Sequence, residues 1–202
     1  MKRPNLSYEL EYRAQGCGLI AGLDEVGMGC LAGPVVAAAV IFDLNDVPRG
    51  LNDSKLIPEK TRKKLAAEVE KRARAFAIGW ASVAEIDSIN ILQAARLAMK
   101  RAVESLAVQP DHLLIDGRSR IDLPLSQLSI IKGDQKSVSI AAASIVAKVY
   151  RDQWMTRLDL EYGGYEFSKH KGYGSREHRL NLQRLGPSPI HRKSFSWTPV
   201  LD

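Results

Sequence analysis

The chain has 202 residues, 45% of them hydrophobic and 26% charged, which suffices for one full core and matches an ordinary soluble globular protein. No apolar run approaches the ~20 residues that span a bilayer. The N-terminus Met1-Lys2-Arg3-Pro4-Asn5 has no apolar stretch of the secretory kind, and Cys17 and Cys30 are too few and too far apart for a zinc ribbon or a redox pair; both fit packing roles in a reduced cytoplasmic setting.

The net charge of +6 is unevenly placed. Between Lys169 and Lys193 stand seven basic residues and a single acid, Glu177, so that segment accounts for the whole excess. Clustered positive charge points to a polyanion partner, although a charge run is more often a solvated face.

In chain order, the spacing predicts a helix over Leu6 to Ala14, with Ser7 as its cap and Gly16 beyond its end. Leu19 to Leu23 and Val35 to Phe42 read as adjacent strands, joined by the glycine-spaced stretch Gly22 to Pro34. A polar turn, Leu51-Asn52-Asp53-Ser54-Lys55, precedes Pro58, which suits the first turn of a helix carrying Leu65, Val69 and Ala73. Ala75 to Val83 reads as a strand. Ser82 and Glu85 predict a capping box for one continuous helix to about Leu106, with Ile86, Ile89, Gln93 and Leu97 as its stripe.

His112 to Gly117 and Leu125 to Ile131 read as short strands, and Val138 to Leu160 as a long helix broken by Gly163-Gly164. A loop through Phe167 to Gly174 leads to a last helix, Arg176 to Leu185. Interleaved strands and helices predict an α/β fold, and the close strand pair at the start predicts a mixed sheet. We read residues 1–202 as a single domain, with an α/β core over about 17–160 and a helical, basic part over about 161–202.

Four carboxylates share one context. Asp24 and Glu25 end the first strand, Asp116 ends a later strand, and Asp134 precedes the alanine-rich helix. Strand ends of an α/β sheet are where sites gather, and hard oxygen ligands without His or Cys suit Mg²⁺ or Mn²⁺. Any one of these acids alone reads as a cap or turn residue; four in this order read as a cation site. The glycines at 27, 29 and 33 do not follow G-x-G-x-x-G, no Walker A sequence occurs, and no G-x-S-x-G elbow supports a triad around the four histidines.

Gly22 to Pro34 resembles the D-E-x-G-R-G-x-x-x-G-P signature of the ribonuclease HII (ribonuclease H type 2) family. Leu51 to Lys55, Leu114 to Gly117, Lys132 to Asp134, Ser139 to Asp152, His170 to Gly174 and His191 to Phe195 continue the likeness in family order. The resemblance implies a ribonuclease H-like mixed sheet flanked by helices. It implies an endonuclease that hydrolyses RNA in RNA–DNA hybrids and nicks 5′ of ribonucleotides embedded in duplex DNA, leaving 3′-OH and 5′-phosphate ends. It assigns Asp24, Glu25, Asp116 and Asp134 to two-metal, in-line catalysis with Mn²⁺ or Mg²⁺. Gly27, Met28 and Gly29 inherit backbone reading of the ribose 2′-hydroxyl, Tyr173 packing on the sugar, and Lys55 a phosphate contact.

The family's G-R-G turn is Gly27-Met28-Gly29 here, so a guanidinium contact is missing, which motivates the alternative of a weak or inactive hybrid-binding protein. The sister ribonuclease HIII, with an extra N-terminal domain, fits less well. The resemblance further implies a monomer with no membrane partner.

Overall fold

The computed structural model describes residues 3–200; Met1, Lys2, Leu201 and Asp202, which the 1–202 unit and the N-terminal reading include, lie outside the described residues. Five strands form one sheet in the order β3-β2-β1-β4-β5: β1 (Ile20–Val26), β2 (Val35–Phe42), β3 (Ala73–Ala81), β4 (His112–Asp116) and β5 (Ser126–Ile130). The first three pair antiparallel, whereas β4 runs parallel to β1 and β5 parallel to β4, so the sheet is mixed as the early strand pair predicts.

Helices cover both faces. On one lie α3 (Val83–Ile89) and α4 (Ile91–Glu104), whose Ile86, Ala94, Ala98, Met99 and Ala102 pack on Ala21, Leu23, Ala37 and Ala39. On the other lie α2 (Glu59–Arg72) and the long α5 (Val138–Glu161), packed on Ala38, Val40 and Phe42. With both faces covered, every residue of β2 is buried, which explains its unbroken apolar run. Helix α5 comes so close to β1 that a Cβ on Gly22 would stand 2.1 Å from the Ser139 carbonyl carbon. Glycine at 22 and small residues along α5 are therefore one packing solution, and they bring the start of α5 against the middle of β1.

Helix α1 (Ser7–Ala14) begins one residue away from its predicted cap: Asn5 Oδ1 accepts the Ser7 amide at 2.9 Å, and Ser7 is already helical. The capping box forms as predicted, with Ser82 Oγ accepting the Glu85 amide at 3.2 Å and Glu85 Oε2 accepting the Ser82 amide at 2.8 Å. The single helix predicted beyond it is two. Asn90, at φ 67°, ends α3, and its side chain accepts the Leu92 and Gln93 amides to start α4. That break rotates the buried face onto the alanines, so Gln93 is exposed and does not belong to the stripe. No described helix is long and apolar enough to cross a membrane.

The C-terminal part is less helical than predicted. It holds one helical turn, α6 (Phe167–His170), within the predicted loop, then α7 (Arg176–Leu185), and an irregular segment to residue 200 with turns at 189–190 and 193–194. Tyr165, Phe167 and Leu182 close its core against Ala32 and Met155.

Candidate active site

The sheet register brings the carboxylates together. Leu23 pairs with Ile115 across parallel strands, so the next residues, Asp24 and Asp116, stand side by side where β4 ends. Strand β1 itself runs on to Val26, paired with β2, so Asp24 and Glu25 lie within the strand and not at its end as the sequence predicts. Side chains alternate along a strand, which puts Asp24 on the same face as Gly22, toward α5. Asp134 sits in a 3-10 turn, Gly133–Gln135, immediately before that helix. The Gly133 amide donates to Asp116 Oδ1 at 2.6 Å, tying the turn to β4. Glu25 follows Asp24, and its amide donates to Asp24 Oδ1 at 2.8 Å.

These groups feel each other's charge. Burial first, then Glu25, Asp116 and Asp134, hold the Asp24 carboxyl well above its ordinary range, with the Ser144 hydroxyl partly offsetting them. Burial and Asp116 push Glu25 up to about 7, and burial, Asp116 and Asp53 push Asp134 up to about 6. Lys55, exposed at the rim, works the other way on both Glu25 and Asp134, so the structure brings this predicted residue to the carboxylates. Among the described residues, no three His, Cys, Asp or Glu side chains stand arranged as a ready-made metal group. Desolvated, mutually repelling oxygen donors nevertheless fit a hard divalent cation, whose charge would offset both the burial and the repulsion that raise Asp24, Glu25 and Asp134.

One further acid belongs to this neighbourhood. Asp53 is buried, accepts the Lys55 amide at 2.9 Å through Oδ1, and accepts Gln135 Nε2 at 3.3 Å through Oδ2. Its turn is pinned to α5 by Arg62, which donates to the Ser54 and Ile57 carbonyls at 2.9 Å each and reaches Asp152 at 3.3 Å. Asp152 also takes Lys148 at 2.7 Å. An Asp in a polar turn reads as local turn chemistry, so its reach to a segment more than eighty residues away is invisible in the sequence.

Beside the carboxylates, Gly27, Met28 and Gly29 form the turn after β1. Gly27 has φ +96°, and a Cβ there would lie 2.2 Å from Arg151 Nε. A Cβ on Gly29 would meet nothing within 4 Å, and its φ is not left-handed, so the fold does not require glycine at that position. The Met28 side chain is half-buried against the α4-side core, filling apolar space at the position where the resemblance leads one to expect an arginine.

Two buried arginines hold this turn from behind. Arg151 donates to the carbonyls of Pro34 (2.9 Å), Lys171 (2.8 Å) and Ala32 (3.1 Å). Arg192 donates to those of Gly27 (2.7 Å), Met28 (2.9 Å) and Gly33. Neither has a carboxylate partner among the described residues, and Arg192 is only 3% exposed. It therefore adds nothing to the surface charge predicted for Lys169 to Lys193. An arginine inside a basic run reads as solvated, and its partners lie some 160 residues earlier.

Tyr173 stands next to the turn. It bridges Cys30, the Leu31 amide donates to the Gly172 carbonyl at 2.8 Å, and Lys148 Nζ lies 5.7 Å from its ring centroid. Its position is set by a histidine chain whose tautomers are fixed by backbone partners. The Ser188 amide donates to His191 Nδ1 at 2.9 Å, His191 Nε2–H donates to His178 Nε2 at 3.0 Å, and His178 Nδ1–H donates to the Tyr173 carbonyl at 2.9 Å. Burial pushes His178 and His191 down to about 4, and a second proton would set two N–H groups face to face. His178 and His191 are thus buried packing groups.

A pH dependence follows from that depression. Well above pH ~6.5 neither state of these histidines is charged. As pH falls from there toward 4 the unfolded chain takes up protons that the fold excludes, so stability is lost. Glu25 and Asp134, being raised, slope the opposite way. The urea midpoint of His178→Asn, whose amide can still donate to Tyr173, is therefore expected to fall less between pH 6.5 and 4 than that of the parent. Equal slopes would contradict the neutral chain.

A model of the ribonuclease HII family matches residues 21–198. A ribonuclease HII from Moorella thermoacetica is 51% identical over 189 residues, which cover 94% of this chain and 92% of that protein. The chain belongs to the ribonuclease HII family. It is accordingly a ribonuclease H, an endonuclease acting on RNA–DNA hybrids. Ribonuclease HII from Archaeoglobus fulgidus, solved in a complex with PCNA, superposes with a TM-score of 0.73 at 26% identity, covering 91% of this chain and 98% of that one. A ribonuclease HIII, Bst-RNase HIII, solved in complex with Mn²⁺, shares the fold at a TM-score of 0.61 and 19% identity, covering 83% of this chain and 63% of that one. The ribonuclease H-like architecture read from the sequence is thus the observed one.

Proposed function

We propose that this ribonuclease HII nicks duplex DNA on the 5′ side of an embedded ribonucleotide, as well as cleaving RNA in longer hybrids, by two-metal, in-line hydrolysis leaving 3′-OH and 5′-phosphate ends. The observation that carries this reading is the juxtaposition of four strand and turn carboxylates with a turn whose Met28 and Gly29 amides donate to no acceptor among the described residues. Asp24, Glu25, Asp116 and Asp134 would hold Mn²⁺ or Mg²⁺, as the Mn²⁺ complex of Bst-RNase HIII suggests by analogy of fold. Bound cations supply charge neutralisation at the phosphate and activation of water. The chain's own part is positioning: Gly27, Met28 and Gly29 meet the ribose through the backbone, Tyr173 packs on the sugar, and Lys55 meets a phosphate. We read the chain as a single-domain monomer of the cytoplasm, in keeping with its two free cysteines.

Calorimetric titration of Mn²⁺ or Mg²⁺ into the parent and into Asp116→Asn tests the carboxylate assignment. Binding should weaken at least about tenfold in the variant, in line with the loss of a charged ligand; equal binding would refute it.

Met28 also gives a prediction. Met28→Arg should steepen the salt dependence of hybrid binding by about one phosphate contact, a change of roughly 0.9 in the logarithmic slope. An unchanged slope would mean that the turn does not face a phosphate.

A further inference from the structure

The carbonyl oxygens of Gly27 and Met28 both point at one guanidinium. Arg192 Nη2 donates to Gly27 O at 2.7 Å, Nη1 to Met28 O at 2.9 Å, and Nε to Gly33 O at 3.0 Å, so a single planar fork grips both ends of the turn. All peptides among the described residues are trans. In a trans peptide the N–H points opposite to the C=O. Anchoring Gly27 O therefore aims the Met28 N–H away from Arg192, and anchoring Met28 O does the same for the Gly29 N–H. Neither amide donates to an acceptor among the described residues, and the Gly29 side of the turn is open.

We infer that Arg192 is a positioning residue for ribose recognition, which holds the Gly27–Met28 and Met28–Gly29 peptides with their two N–H donors turned outward as a fixed pair for a sugar oxygen. This rests on the reading of the turn as the ribose contact. A cation on the carbonyl side polarises each peptide and strengthens the N–H on its far side. Burying an arginine without a carboxylate is costly, and hydrogen bonds to carbonyls compensate only while the fork geometry holds. Lysine, a point charge with no fork, cannot span Gly27, Met28 and Gly33 together.

The test compares binding of a duplex with one ribonucleotide against an all-DNA duplex of the same sequence, in an Asp134→Asn background that prevents turnover. The parent should favour the ribonucleotide duplex, and Arg192→Lys should reduce that preference at least about tenfold, the scale of one good hydrogen bond, while all-DNA binding changes less than about twofold. A variant that keeps the preference, or loses affinity for both duplexes equally, overturns the role of Arg192 alone. A parent without any preference overturns the ribose reading itself, and the inference with it. A second measurement needs no variant: the Met28 and Gly29 amide proton resonances of the parent should shift on adding the ribonucleotide duplex and not the all-DNA duplex. Equal shifts with both duplexes, or none with either, overturn the inference even if Arg192→Lys fails to fold.

Discussion

Asp24→Asn should abolish cleavage and, without divalent cations, melt at a higher temperature than the parent. Asp24 is buried on β1, and its carboxyl is raised by burial and by all three neighbouring acids. A group whose folded pKa lies above its unfolded value costs stability once ionised, and the cost grows as pH rises through the folded value. Asparagine keeps the shape and removes the charge. The gap between variant and parent should therefore widen from pH 4 to pH 8; a gain of ~1 kcal/mol would read as about 2–4 °C in a chain of this size. Mn²⁺ or Mg²⁺ should reverse the order, because a ligand that binds only the folded parent stabilises it. The rate should fall by at least about a thousandfold, equivalent to ~4 kcal/mol of transition-state stabilisation. Thermal melts with and without chelator, beside initial rates, decide the matter. A variant less stable than the parent in chelator would show that Asp24 is a structural acid.

The two glycines of the turn should separate fold from function. In Gly27→Ala the new Cβ meets Arg151 at 2.2 Å, on a backbone at φ +96°. Left-handed backbone costs roughly 1–2 kcal/mol for an L-residue, and displacing Arg151 strands the carbonyls of Ala32, Pro34 and Lys171. The melting temperature should drop on the order of 10 °C. Gly29→Ala meets nothing within 4 Å and should melt within about 1 °C of the parent. Its methyl nevertheless occupies the open side of the turn, where a displacement of about 1 Å can cost ~10²-fold in rate. Cleavage of a duplex with one ribonucleotide should fall by that order. Full activity in Gly29→Ala would mean that no sugar approaches there.

What the sequence discloses is the part encoded locally. The apolar runs of β1, β2 and β4, the Ser82–Glu85 box, and α7 between Ser175 and Gly186 all carry their signals within a few residues. The candidate acids are legible because each follows a short apolar run or precedes the alanine-rich helix, although β1 continues past Asp24 and Glu25 to Val26. The break at Asn90 is not legible, since the spacing of Ile86, Ile89 and Gln93 suits one helix and only the φ of Asn90 interrupts it. Arg192, Arg151 and the His178–His191 pair escape for a different reason. Their residue types suggest surface or generic packing, and their meaning lies in backbone carbonyls supplied by distant segments. Asp53 is hidden likewise, its turn being ordinary until Gln135 and Asp134 are brought beside it.

The most direct measurement of the central claim is cleavage of a DNA duplex holding one ribonucleotide, with Mg²⁺ or Mn²⁺ present, followed by mapping of the ends. The expected result is a single nick 5′ of the ribonucleotide, with 3′-OH and 5′-phosphate products, and none after chelation or in Asp24→Asn. An intact duplex from folded, cation-supplied protein, or a nick elsewhere, would contradict it.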